Sequence, residues 1–387
     1  KKTKVVKLEQ NYRSTSNILN AANAVIKRNA DRLGKNLWTD LGEGEPIFLY
    51  SAFNENDEAR YIVENLKSWI DQGNNRQDAA VLYRSNAQSR VIESALLQFD
   101  IPYRVYGGQR FFERLEIKNA LAYMRLILNC HDDVAFERVV NIPTRGIGER
   151  TVDAVREHAR NISISMWSAA KAMIVDKNLN TRSANALAAF LNLINEMTNT
   201  LEALPLSELA ENSIEMSGLI EMHRREKGER GQSRVENLEE LVGACKNFTP
   251  ESIDTPVLAQ FLDQVSLEAG ERQANEDQDA VQLMTLHSAK GLEFPLVIMA
   301  GMEENLFPHK MSQNEPGRLE EERRLAYVGI TRAMQKLYFT CAETRNLYGT
   351  DHVNPISRFV RDVPKEFMKE VRVKNTVIRP TSFSTNS

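Results

Sequence analysis

Hydrophobic positions along the chain change rhythm twice. From Val5 to Gly107, short apolar runs alternate with stretches whose apolar residues fall at helical spacing. KVVKL (4–8) reads as a strand and ILNAANAVIKRN (18–29) as a helix. PIFLYSA (46–52) alternates like a strand, and Ile62, Val63, Leu66, Trp69 and Ile70 then mark a helical face. AAVLYRS (79–85) is a buried strand, followed by a helix with Val91, Ala95 and Leu96 on its apolar side and by the strand PYRVYGG (102–108). This rhythm predicts βαβ units and a largely parallel sheet. From about Arg110 the pattern becomes helical throughout: LEIKNALAYMRLILN, ERTVDAVREHAR, SANALAAFLNLINEM and RVENLEELVGACKNF all carry apolar stripes. Strands resume with VQLMTL (281–286), LVIMAG (296–301) and KLYFTCA (336–342), with the helix EEERRLAYVGITRA (320–333) before the last. The expected architecture is an α/β domain (1–108 and 280–367) interrupted by an all-helical insertion (109–279), with a polar, aperiodic linker or tail over 368–387.

Composition narrows the class. A chain of 387 residues, 42% of them hydrophobic, is long enough for two cores. Its longest apolar run, LVIMAGM (296–302), falls far short of the roughly 20 residues that cross a bilayer, and no signal-peptide pattern opens it. No membrane association and a cytoplasmic location are expected. Cys130, Cys245 and Cys341 form no C-x-x-C spacing, so neither a zinc site nor a disulfide framework is predicted. The net charge of −4 weighs mildly against a surface coated in nucleic acid, although a local positive groove suffices for a backbone-binding channel. The chain does not start with Met and opens almost directly on a strand, which reads as a fragment.

A nucleotide-hydrolysing α/β domain usually carries G-x-x-x-x-G-K-[ST], and this sequence has none. In RLGKNL, Asn29 stands where the first glycine belongs and Asn36 where Ser or Thr would bind magnesium; SAKGLEF has its lysine and glycine in the wrong order. Asp57-Glu58-Ala59-Arg60 resembles an acidic box only in its letters, because it opens a helix. Arginines nevertheless stand at element ends: Arg13, Arg84 and Arg332. Taken singly, each reads equally as a solvated or salt-bridged end residue.

Taken together, LEQNYRS (8–14), AVLYRSNAQSR (80–90), VQLMTLHSAKGLEFP (281–295) and EEERRLAYVGITRA, in this order and spacing, resemble the C-terminal half of superfamily 1 DNA helicases of the UvrD/PcrA/Rep group. FFERLEIKNALAYMRLI and IPTRGIGERT extend the resemblance through the insertion, so that it covers about Leu8 to Arg345. It implies a second RecA-like domain, with ATP and Mg2+ bound against a first domain that supplies the phosphate loop and the magnesium ligands. It also implies 3′-to-5′ translocation on single-stranded DNA, duplex unwinding in repair, mismatch- and excision-repair proteins as partners, and a monomer or weak dimer. The chain alone is then expected not to hydrolyse ATP. By the resemblance, Tyr12 stacks on adenine, Arg13 and Arg332 reach the γ-phosphate, and Glu293 approaches the ribose; Arg84, Asn86 and His287 follow single-stranded DNA. Glu293 also reads as a carboxylate in a helical first turn, and His287 as a buried histidine at a strand end.

The insertion adds a signal of its own. In NIPTRGIGERT, Gly146-Ile147-Gly148 makes a hairpin just before a helix, which points backbone N–H groups at a phosphate without base readout. Thr144, Arg145, Gly146, Gly148, Arg150 and Thr151 are therefore candidate duplex contacts; a plain helix–helix turn is the competing reading. RREKGERGQSR (224–234) is either a second basic contact or a solvated loop. The rival to an enzyme is a non-catalytic DNA-binding or partner-docking module of helicase ancestry.

Overall fold

The computed structural model describes residues 9–29, 36–270, 278–313, 317–347 and 350–371. The expected strand KVVKL and the Gly34-Lys35 pair lie outside them. The chain runs through α1 (Ser16–Ile26), β1 (Ile47–Ala52), α2 (Glu55–Asp71), β2 (Ala79–Tyr83), α3 (Ser89–Gln98) and β3 (Tyr103–Val105). Helices follow: α4 (Leu115–Leu128), α5 (Asp133–Val139), α6 (Glu149–Asn161), α7 (Met166–Val175), α8 (Thr181–Thr198), α9 (Leu206–Ser217), α10 (Leu219–Arg224), α11 (Glu229–Asn247) and α12 (Val257–Gly270). The sheet is then completed by β4 (Val281–Thr285), β5 (Phe294–Met299), α13 (Arg318–Ile330), β6 (Ala333–Ala342) and β9 (Met368–Glu370), with a small hairpin, β7 (Arg345–Leu347) and β8 (Thr350–His352), between the last two strands.

The main sheet has seven parallel strands in the order β3-β4-β2-β5-β6-β1-β9. No two of β1, β2 and β3 are neighbours; β2 lies between β4 and β5, and β1 pairs with β6. Every residue of β2 is buried, the pattern of a strand covered on both faces. Ala80 and Leu82 point to the face covered by α1 and α13, where Ile18, Val25, Leu325 and Ile330 pack. Ala79, Val81 and Tyr83 point to the other face, against Ile62, Leu66 and Trp69 of α2 and Ile92 and Leu96 of α3. The start of the predicted tail needs a correction: Met368–Glu370 joins the sheet beside β1, in register with Ile47–Leu49, because an edge strand with one open side needs no long apolar run, while 372–387 lie outside the described residues.

The inserted helices bury a core of their own, including Tyr123, Phe136, Trp167, Phe190 and Leu238. Asn180 caps α8 by accepting from the Ser183 amide at 2.9 Å, and Asp132 caps α5 from the Ala135 amide at 2.9 Å. Asn54 caps α2 in the same way, which places Asp57 and Glu58 in a first helical turn. Glu58 is spent on structure: it accepts from the Gly301 amide (2.8 Å) and the Thr340 hydroxyl (2.6 Å) and pairs with buried Arg345. Arg345 also meets Glu303 at 2.6 Å. Burial alone would lower its pKa, but the two carboxylates reverse that and hold the guanidinium charged.

Candidate nucleotide and nucleic-acid sites

A polar turn brings LEQNYRS to the sheet. The Asn11 side chain accepts from the amides of Arg13 (2.8 Å) and Ser14 (2.9 Å), a local turn that asparagine favours. The Ser14 hydroxyl then donates to the Ala333 carbonyl at 2.6 Å, and the Thr15 amide to Met334 at 3.2 Å. Arg13 is thereby fixed where GITRA changes from α13 into β6. Its Nε donates to the Glu293 carboxylate, and its Nη1 reaches the Thr331 carbonyl at 3.5 Å. Arg332 is held by the carbonyls of Val328 (Nε, 3.0 Å) and Leu292 (Nη1, 2.8 Å). Burial first, and then the nearby Arg13 charge, push the Arg332 pKa down. Two guanidiniums and one carboxylate, drawn from Arg13, Glu293 and Arg332, thus share one spot at the N-terminal ends of β5 and β6. Glu293 lies in the irregular segment before β5, so the reading of a helical first turn does not hold. Tyr12 is 77% exposed, and its hydroxyl is tethered to Gln10 at 2.8 Å. A polyanion carrying a flat ring fits this donor set.

The opposite ends of the strands open on a groove of about 1180 Å³ between the sheet and the inserted helices. Arg84, Asn86 and His287 all line it. His287 is exposed at the end of β4, which rules out the buried alternative; partial desolvation and then the Arg84 charge lower its pKa. Arg84 is already engaged: its Nη2 and Nε grip Glu322 of α13 at 2.8 and 3.0 Å. Although burial opposes it, that pairing draws the Glu322 pKa below the usual carboxylate range. Asn86 donates to the Ser233 hydroxyl of α11 at 3.2 Å. Arg114 fastens the same loop to the insertion, donating to the Asn86 carbonyl (2.9 Å), the Asn237 side chain (2.9 Å) and the Ser89 hydroxyl (2.7 Å). Sequence reading missed Glu322 and Arg114, whose only local signal is a charge on an otherwise apolar helical face or at its start.

The hairpin in the insertion divides the six candidate duplex residues. Gly146 has φ +80°, and Gly148 is the uncapped residue before α6; added methyl groups at both would meet open space. Thr144 and Arg150 are exposed beside them. Arg145 and Thr151 face elsewhere, a correction to the sequence reading. The Arg145 guanidinium turns inward, donating to the carbonyls of Pro143 (2.9 Å) and Ser217 (2.8 Å) and lying 5.7 Å from the Tyr123 and Phe190 rings. Thr151 is buried, and its hydroxyl bonds Ser183 at 3.2 Å. In RREKGERGQSR, Arg234 pairs with Glu226 at 2.6 Å while Arg224 and Arg230 line the groove.

DNA helicase II of Escherichia coli is 58% identical over 97% of this chain, DNA helicase II of Haemophilus influenzae is 53% identical over 98%, and the ATP-dependent DNA helicase PcrA of Bacillus subtilis is 42% identical over 96%. The chain spans about half the length of these relatives: 53%, 52% and 51% of them, respectively. A solved C-terminal domain of a possible DNA helicase from a Lactobacillus shows 11% identity and a TM-score of 0.36, covering 94% of this chain and 99% of that one, a likeness too low to bear on the fold. Residues 6–344 match the family described as the UvrD-like helicase C-terminal domain, and the chain belongs to that family.

Proposed function

We propose that this chain forms the closing wall of an ATP-driven DNA motor that moves 3′ to 5′ on single-stranded DNA and separates duplex during repair. The observation that carries this reading is the convergence of Arg13, Arg332 and Glu293 at one end of the sheet whose other end opens on the Arg84–His287 groove. ATP supplies the transferable phosphoryl group. Tyr12 would stack on its ring, Glu293 would approach the ribose, and Arg13 and Arg332 would stabilise charge at the phosphates. As the family resemblance implies, Mg2+ is assigned to groups of the facing first domain. With no phosphate loop in its sequence, the chain by itself does not turn over ATP.

Closure supplies the logic. The Arg13–Glu293 pair satisfies Arg13 without nucleotide, and a phosphate brought by a facing domain exchanges for that carboxylate. Single-stranded DNA lies in the groove, the Gly146–Gly148 hairpin holds duplex backbone, and repair proteins dock on a monomer or weak dimer in the cytoplasm. The test is Arg332→Ala in the full-length protein, where arginines in this role are worth about 10³ to 10⁵ in rate. ATP turnover should fall at least about a thousandfold with nucleotide affinity little changed. Unaltered turnover would remove Arg332 from the nucleotide site and overturn this reading.

A further inference from the structure

Adjacent strands β3, β4 and β2 end side by side, and each delivers a different kind of group to the groove. β2 ends in Arg84 and Asn86, β4 in His287, and β3, the edge strand, in Tyr106. Tyr106 is 44% exposed, and its amide is held by the Leu283 carbonyl at 2.8 Å, so the backbone that carries the ring is fixed by the sheet. The next residue, Gly107, has φ +70° and no atom within 4 Å of where a side chain would begin. An exposed aromatic residue is ordinary when single. Here it shares the groove with exposed Leu115 of α4, exposed Met311, and the polar and cationic groups that also line it.

We propose that Tyr106 is a stacking platform for a base of the single strand whose phosphates pass Arg84, Asn86 and His287; the inference rests on the reading of this groove as a path for DNA. Adjacent strands lie about 4.8 Å apart, which sets Tyr106 two spacings, about 10 Å, to the side of the Arg84 loop. That offset separates a lane for phosphates from a lane for bases. Stacking needs only a π-face, so the platform accepts any of the four bases and lets the strand slide past without reading its sequence.

The experiment measures the affinity of the full-length protein for a fluorescently labelled oligothymidine over a range of salt concentrations. Tyr106→Ala should weaken binding about 5- to 150-fold, as expected for loss of one base–aromatic stack. The slope of log affinity against log salt should stay unchanged, because no phosphate contact is lost. Tyr106→Phe, which keeps the ring, should recover most of the loss. Unchanged affinity in Tyr106→Ala overturns the platform, as does a Tyr106→Phe loss equal to that of alanine, which would implicate the hydroxyl. Arg84→Ala and His287→Ala, run beside it, separate the two failures. If they weaken binding and Tyr106→Ala does not, only the platform falls; if none of the three matters, the groove is not the DNA path.

Discussion

His287 and Glu293 stand at opposite ends of the parallel sheet, joined only by the turn Ser288–Leu292. Thr285 is level with Tyr83 at the end of β2, whereas Leu296 is level with Ala79 at its start. The segment between them crosses the sheet from the groove to the arginine pair. Gly291 within it has φ +91°, a conformation that side chains rarely adopt. Gly291→Ala in the full-length protein should therefore shift this crossover and lower the stimulation of ATP turnover by single-stranded DNA several-fold. Titrations of nucleotide and of DNA, each alone, should change less; equal loss in all three would point to general unfolding.

The lowered pKa of His287 sets a pH dependence. In the free protein its ring loses its proton below the ordinary value of 6.5. A phosphate beside it favours the charged ring, so binding takes up a proton. DNA affinity should thus rise as pH falls below the bound-state pKa, by up to about tenfold per pH unit, and level off below the free-state pKa. The same depression means that the free fold loses stability as pH drops through 6.5, because the unfolded ring binds the proton first. His287→Ala should flatten the binding profile, measured by fluorescence anisotropy from about pH 5 to 8.

Arg145 and Arg150 should behave oppositely despite their proximity. Arg145→Ala removes donors from two carbonyls and a cation from two rings, and should cost about 1 to 3 kcal/mol in denaturant unfolding. Arg150→Ala should leave stability within about 0.5 kcal/mol. It should weaken binding to a duplex junction and reduce the magnitude of the salt slope by about 0.9. Reversed behaviour of the pair would remove the hairpin from the duplex path.

Arg345 is buried between Glu58 and Glu303, and removing it leaves two carboxylates unpaired. Arg345→Met should destabilise the chain by about 3 to 5 kcal/mol, read from chemical denaturation. Replacing all three residues with apolar side chains of similar volume should recover much of that loss, because the desolvation cost of the charges disappears with them.

Local pattern made the elements legible, because the continuous apolar run of β2 and the helical stripe of α2 extend over several residues whatever surrounds them. Neighbour order was beyond it. Nothing in PIFLYSA says that its partner is KLYFTCA, since every parallel strand offers the same ladder. Charged groups were the hardest to place. Arg84 finds Glu322 and Arg145 finds the Ser217 carbonyl far along the chain, and a flexible side chain carries no local mark of the direction it will take. The motif residues Arg13, Glu293 and Arg332 do come together, as their shared resemblance implied. Tyr106 lay unnoticed in PYRVYGG, although an aromatic residue followed by two glycines at a strand end was a usable signal.

The order β3-β4-β2-β5-β6-β1-β9 bears on how the chain is born. β1, β2 and β3 emerge from the ribosome with no partner among themselves, and β2 must wait roughly 200 residues for β4. At about 5 to 20 residues per second that is on the order of 10 to 40 s. Throughout that interval AAVLY is an apolar strand with both edges bare, a template for pairing with other nascent chains. The inserted helices, rich in local contacts, can collapse meanwhile. The sheet order thus exposes the early strands for the length of that delay, however fast the helices fold.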